Sequence, residues 1–421
     1  MDEKLLRTMQ VYDSYERRFA QARAGQPLRR PWLPGDREEI LAAARDVLSF
    51  REPLIPVIRP LSGTAERFEG YSVEHLLFES WERFYGSASL YRPDGGGKRP
   101  LVLVCPGHGE EGRLTDCYQR MAQRLALQGA YVLLSDNIGQ GERAPFGHAH
   151  CVAPFYCGLT LQGLIVMETV AWVRYLAAQP FVDETRIGAC GNSGGGTLCT
   201  FLAALCPELA ALSASGYPSE FGYILQKERR HCACNLLPHY AGRLEMWELL
   251  SLFAPRPLLL EQGTLDNLIP FDLFRRNARK VQAAYEQLGA GDRFQALTTP
   301  TTHSWTSQDR FEIAAFLARS LGLEPAFPED DDALLPPLCD PAAPHVVFPE
   351  DALTTDQLAQ ALTGVSMPEG TRLQDVFVPQ FEGRPLDPAS VRETLGPNEV
   401  MRVLAQFECC LQPTGKIPKL P

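Results

Sequence analysis

The segment Gly191-Asn192-Ser193-Gly194-Gly195 places a serine between glycines two positions to either side, the G-x-S-x-G spacing of a nucleophile on a tight strand-to-helix turn. Such a turn lifts Ser193 Oγ into the open, and a Cβ at the flanking glycines would collide with the strand and helix around it. A serine hydroxyl attacks a carbonyl only when a base takes its proton and a carboxylate orients that base. Asp266 in EQGTLDNLIP and His303 in TTPTTHSWT supply those types, in the chain order nucleophile, acid, histidine. Taken singly, Asp266 reads as a turn residue and His303 as a surface-loop histidine; their order and their places after apolar runs join them to Ser193. The other downstream histidine, His345, lies in a proline-rich tail. The chemistry would be two-step acyl transfer, needing no cofactor and rising with pH as His303 loses its proton. The N–H of Gly194, at a helix start, would hold the developing oxyanion. The second donor would come from His108 or Gly109 in Cys105-Pro-Gly-His-Gly-Glu110.

Positioning these residues requires a particular scaffold. From Pro100 the chain alternates apolar runs with amphipathic stretches. The expected strands begin at Pro100, Ala130, Arg186, Leu209, Arg256 and Asp292; the expected helices are Arg113–Gln128, Thr160–Ala178, Gly194–Leu205, Pro270–Leu288 and Thr306–Leu321. Such alternation predicts an α/β fold, a mostly parallel central sheet with helices on both faces and the chemistry at the carboxyl ends of the strands. Two β-prone runs between Tyr71 and Tyr91 are expected to pair antiparallel at a sheet edge. Residues 217–254 interrupt the rhythm and are expected to form a small lid. Residues 1–70 read as an N-terminal helical arm, its helix Asp36–Leu48 opening on a capping-box pattern, Asp36-Arg-Glu-Glu39. The catalytic unit is placed at 71–322. Residues 323–421 hold about fifteen of the 34 prolines and the acidic run Glu329–Asp332. They read as a linker and small appendage, with a helix at Thr354–Leu362 and a strand at Glu399–Leu411.

Several further residues are candidates for the pocket or its support. Trp305, two residues after His303, could line a substrate pocket or begin a helix in the core. In SDNIGQGER, Asp136 is expected to brace a strand end, and Glu142 and Arg143 to form a structural ion pair; a bidentate Arg143 could also hold a substrate carboxylate. His231-Cys-Ala-Cys-Asn235 offers soft metal ligands, but a closed zinc site needs four and His239 is the only further candidate nearby in sequence, so no metal is assigned. Cys409 and Cys410 read as small apolar groups.

Composition bounds the function. The 421 residues carry 40 Lys+Arg against 51 Asp+Glu, a formal charge of −11 with a pI near 5.3, which argues against a nucleic-acid partner. No apolar run reaches membrane-spanning length, and the first residues lack the apolar core of a signal peptide, so a cytoplasmic protein with no membrane partner is expected. Twelve scattered cysteines fit reduced thiols. The arm and tail are expected to pack on the catalytic body or to build a homo-oligomer.

Together, CPGHGEEGR, LLSDNIGQGER, RIGACGNSGGG, HCACNLLP, APRPLLLEQGTLDNLIP and TTHSW, spread in order over Tyr71–Leu321, resemble the α/β-hydrolases of the dienelactone-hydrolase-like and acetyl-xylan-esterase-like branch. The resemblance implies Ser193 as nucleophile, His303 as base and Asp266 as its orienter, with His231 in a lid segment near the substrate. Dienelactone hydrolases proper use cysteine where this chain has Ser193, so their substrate does not transfer. Thr301 and Thr302 stand where glycines commonly precede the histidine. The expected activity is a serine carboxylesterase acting on a small-molecule ester, preferentially an acetylated carbohydrate. Amide or peptide hydrolysis by the same triad, and a non-catalytic binding or assembly protein on the same fold, are the alternatives.

Overall fold

The computed structural model describes residues 20–21, 24–226, 233–238, 240, 242–324, 335–376, 380–381 and 384–385. Its centre is a nine-stranded sheet of β1 (Arg59–Phe68), β2 (Tyr71–Glu79), β3 (Tyr85–Pro93), β4 (Arg99–Cys105), β5 (Tyr131–Ser135), β6 (Val182–Asn192), β7 (Ala211–Ser215), β8 (Leu258–Gly263) and β9 (Phe294–Thr299). The order is β1-β2-β3-β5-β4-β6-β7-β8-β9. Strands β4 to β9 pair in parallel, whereas β1, β2 and β3 form an antiparallel meander joined to β5.

The alternation along β4 shows why the sheet is covered on both sides. Leu101, Leu103 and Cys105 pack with α1 (Pro34–Leu48), α3 (Leu161–Ala177), α4 (Gly194–Leu205) and α5 (Phe271–Gln287), whereas Val102 and Val104 pack with α2 (Asp116–Leu127) and α6 (Ser307–Leu321). Successive side chains of a strand point to opposite faces, so a run apolar at every position suits a strand buried on both. The chain leaves β4 to one side for β5 and returns to the other for β6. That reversal opens a crevice at the strands' carboxyl ends. In-register pairs Cys105↔Gly191, Asn192↔Ser215, Ser215↔Glu261 and Gly263↔Thr299 bring the ends of five strands to one edge.

The expected helices all form, within a few residues at each end. Two differences stand out in the arm. Helix α1 starts at Pro34 with Leu33 as its N-cap and no side-chain cap, and Asp36 instead accepts the N–H of Arg30 at 2.6 Å. The capping-box reading is therefore corrected: proline at the first helical position sets φ and removes one orphan donor, so the helix opens two residues earlier. Strand β1 lies within the stretch read as a helical arm. It is largely exposed and pairs only with β2, so its residues show no buried-face alternation to read.

The arm docks through Arg37, which donates to the Leu252 carbonyl at 2.7 Å, and through a buried Arg29–Glu248 pair at 2.9 Å. At the other end, residues 335–376 also lie against the body. Gln119 exchanges hydrogen bonds with the backbone of Cys339, and Leu353 N–H donates to the Arg83 carbonyl. Helix α7 (Thr355–Thr363) has a Thr354–Gln357 capping box, and Asp356 accepts from the N–H groups of Val152 and Ala153 at 2.8 Å each. The strand expected at Glu399–Leu411, with Cys409 and Cys410, lies outside the described residues. Among the described residues no helix is long and apolar enough to cross a membrane, and no disulfide joins two of their cysteines.

Candidate active site

Ser193 sits between the last residue of β6 and the first of α4 with φ 57 and ψ −117. A left-handed backbone at a non-glycine residue costs about 1–3 kcal/mol and persists only where its surroundings hold it. Here Ser193 N–H donates to the Ser215 carbonyl at 3.0 Å, and its own carbonyl accepts from Thr197 N–H at 2.9 Å. The flanking glycines are required by contact: a Cβ on Gly195 would run into the carbonyl of Cys105. On the other side, a Cβ on Gly107 would lie 2.9 Å from the Asn192 carbonyl oxygen and 3.0 Å from Ser193 Cβ, so the loop after β4 abuts the serine. Gly107 N–H is held by Tyr118 Oη at 2.7 Å, and Gly109 N–H faces Gln140 Oε1 at a longer 3.4 Å. Gly194, first residue of α4, presents an N–H that the helix itself cannot satisfy.

His303 and Asp266 arrive from the loops after β9 and β8. His303 Nδ1 lies 2.7 Å from Asp266 Oδ2, which also accepts Gln262 Nε2 at 2.6 Å, while Oδ1 accepts the N–H groups of Leu268 and Ile269 at 2.6 and 3.0 Å. Burial by itself would raise the Asp266 pKa; the hydrogen bond and charge of His303, with the two backbone donors, outweigh it and hold the carboxyl below its ordinary value. An ionised carboxylate only accepts, so Nδ1 is the donor, and in the neutral ring Nε2 is the nitrogen that carries the lone pair. Nε2 is buried and has no hydrogen-bond partner among the described residues. The place where a Cβ of Gly216 would fall is 3.2 Å from His303 Cε1 and 3.3 Å from Ser193 N, so imidazole and serine border one small space.

One group at this edge was not anticipated. Glu261, near the end of β8, is buried, and its carboxyl is pushed up to about 8 by burial, then by the negative charges of Asp309 and Asp266, against the opposing pull of the nearby Ser215 and Thr299 side chains. Its trace in the sequence is a carboxylate closing the apolar run Leu258-Leu-Leu-Glu261.

Three of the expected support and pocket residues stand differently. Trp305 is 2% exposed and packs edge-on to Tyr118 at 5.8 Å, in the layer between α2 and α6. Its reading as a pocket wall is corrected, because the first residues before α6 turn inward to the sheet. Arg143 is fully buried and engages both oxygens of Glu168, at 2.7 and 3.0 Å, so its fork is filled and does not face substrate. The ion pair expected between Glu142 and Arg143 is instead two pairs, Arg143–Glu168 and Arg113–Glu142. Asp136 does brace the end of β5, accepting from Ser87 Oγ and from both the backbone and guanidinium of Arg113. His231 lies outside the described residues, as does His239.

The architecture has close parallels among solved structures. The methylesterase BT1017 superposes with a TM-score of 0.57 at 22% identity, covering 77% of this chain and 72% of that one. A "putative acetyl xylan esterase", BF1801 from Bacteroides fragilis NCTC 9343, gives 0.55 at 18% identity over 68% of this chain and 82% of its own. The fold is that of the α/β-hydrolases. In this α/β-hydrolase fold the strained turn after β6 and the loops after β8 and β9 are the positions that bring Ser193, Asp266 and His303 to one edge. Among curated proteins, "Putative hydrolase YtaP" of Bacillus subtilis (strain 168) is 25% identical over 284 residues, 63% of this chain and 95% of that protein. No protein-family model matches the sequence.

Proposed function

We propose that this chain is a serine carboxylesterase in which Ser193, His303 and Asp266 act as nucleophile, base and orienter. The observation that carries the reading is the Asp266–His303 pair, set beside the strained Ser193 with the imidazole's other nitrogen uncommitted. His303 Nε2 takes the Ser193 proton as Oγ bonds to the ester carbonyl carbon. The C=O π pair moves to oxygen, which is held by the N–H of Gly194 and by an N–H of the 107–109 loop, from His108 or Gly109. Collapse of the tetrahedral intermediate expels the alcohol, which takes the proton from Nε2. Water then repeats the sequence on the acyl-enzyme and releases the acid.

The substrate class we favour is a carbohydrate ester, an acetyl ester foremost. Its support is the naming of the two structural neighbours as a "Methylesterase" and a "putative acetyl xylan esterase", and the resemblance of the motifs around Ser193. A panel of p-nitrophenyl acetate and butyrate, acetylated xylo-oligosaccharides and methyl esters of uronic acids tests it. Acetylated sugars should give the highest kcat/KM, and equal turnover of all acyl groups with no sugar preference would reject the substrate class. Hydrolysis surviving in Ser193→Ala would reject the triad.

A further inference from the structure

Cys234, from the Cys-x-Cys motif to which no metal was assigned, lies beside two histidines that are far from it in sequence. His108 comes from the loop after β4 and His148 from the loop after β5. His108 Nε2 is 3.0 Å from His148 Nε2 and 3.3 Å from Cys234 Sγ, and all three donor atoms lie within 4.8 Å of one another. Two imidazoles and a thiolate around a tetrahedral ion, with bonds of about 2.0–2.1 Å to nitrogen and about 2.3 Å to sulfur, would sit about 3.3 Å apart N to N and about 3.6 Å apart N to S. The observed spacings differ from these by a few tenths of an ångström. The second nitrogen of His148 is also committed: Nδ1 lies 2.6 Å from the Ile138 carbonyl, which makes it the donor and leaves the Nε2 lone pair aimed at His108 and Cys234. A backbone carbonyl on the far nitrogen is the usual support that fixes a metal-binding histidine's tautomer. His148 and Cys234 are buried while His108 is exposed, giving an entry side.

We propose that His108, His148 and Cys234 supply three ligands of a site for a zinc-class divalent ion, the three that lie among the described residues. Borderline-soft imidazole and thiolate donors select zinc over magnesium or calcium, which prefer oxygen. A second trio, Glu66, His75 and Cys339, has a carboxylate in place of one imidazole. It also faces a cation, since Ser89 Oγ, bonded to His75 Nδ1, accepts from Arg113 Nε at 3.1 Å, so it is the weaker candidate. Binding would tie the 217–254 insertion to the loop that borders Ser193. His108 Nδ1 lies 2.7 Å from where a Cβ on Gly194 would fall, so the ion would restrain the wall of the proposed oxyanion site. That consequence for catalysis rests on the proposed esterase reading, whereas ion binding does not.

The test is direct titration of the full, chelator-treated protein with Zn2+ by calorimetry, and with Co2+ by absorbance. One zinc should bind per chain and raise the unfolding temperature, and cobalt should give a thiolate-to-metal charge-transfer band in the near ultraviolet. Cys234→Ser should abolish that band, and both it and His148→Gln should weaken zinc binding about 10–100-fold or more. His75→Gln should leave both readouts unchanged. The proposal is overturned if the wild type shows no saturable one-to-one binding, if Cys234→Ser and His148→Gln bind as the wild type does, or if His75→Gln removes the site. Near-wild-type circular dichroism of the Ser and Gln variants separates a lost ligand from a lost fold. If zinc binds as described while Ser193→Ala retains ester hydrolysis, the triad assignment fails and the metal site stands.

Discussion

Two histidine–carboxylate pairs occupy opposite regions of the sheet, and the difference between them separates the arrangement proposed as catalytic from a structural one. His303 and Asp266 meet at 2.7 Å on the carboxyl edge, and His75 and Glu66 meet at 2.9 Å on the antiparallel meander. The distances barely differ. In the first pair the carboxylate is saturated with donors and Nε2 of the ring is uncommitted beside Ser193. In the second both ring nitrogens are engaged, Nδ1 with Ser89 and Nε2 with Glu66, and the ring stacks on His345 at 4.0 Å. A base needs a lone pair within reach of a proton to take. The carboxylate–histidine bond alone therefore does not mark a catalytic site; the state of the second nitrogen does.

The sharpest way to break this comparison is at the proposed nucleophile. Ser193→Ala should lower kcat on p-nitrophenyl acetate by about 10⁴–10⁶ with unchanged unfolding temperature, the scale seen when one member of a cooperating triad is removed. Next comes the pair itself. Asp266→Asn should cost about 10³–10⁴ in kcat, because an amide can stabilise the wrong imidazole tautomer and no longer balances the imidazolium. The matching change on the other pair, Glu66→Gln, should leave kcat within about twofold. Equal losses at both positions would remove the distinction drawn here.

How much of this was legible in the sequence follows the same physics. That Ser193, Asp266 and His303 reach one edge could be read because each follows a buried strand, where chain order fixes which edge of the sheet it reaches. Trp305 and Arg143 were misread because a loop's local sequence does not say whether a side chain turns to the crevice or to the core. His148 left no signal: its cluster with His108 and Cys234 joins two loops and a short helical turn far apart in sequence, and no periodicity connects them. Strand β1 was missed since an exposed edge strand has no buried face to pattern. Glu261 was readable in principle, as a carboxylate ending an apolar strand.

Glu261 gives the next test, and it is one of stability. Its folded pKa, about 8, is raised above the ordinary glutamate value of 4.5, so the folded chain holds a proton that the unfolded chain releases. The stabilising contribution is full below pH 4.5 and is lost as pH rises through 8. Urea unfolding of the wild type should lose a few kcal/mol (~1.4 per pH unit at most) between pH 5 and 8 from this group. Glu261→Gln, which stays neutral, should flatten that slope. An unchanged slope would mean that the carboxyl is ionised where it sits.

The smallest effect returns to the second pair and runs in the opposite direction. Burial, then the facing His345 and the Arg113 charge, push the His75 pKa down to about 4, against the pull of Glu66. A depressed histidine favours the neutral ring in the fold, so its contribution is present above the unfolded value of about 6.5 and is lost as pH falls toward 4. Residues 335–376, which carry His345 onto this ring, should therefore loosen in acid. Hydrogen exchange of the Cys339 and Leu353 amides should speed up between pH 6.5 and 4.5 beyond the intrinsic pH effect. His75→Gln should remove most of that excess and leave ester hydrolysis at pH 7 within about twofold. Excess exchange that persists in His75→Gln would place the acid sensitivity outside His75, and the second pair would lose its role as the structural counterpart of Asp266–His303.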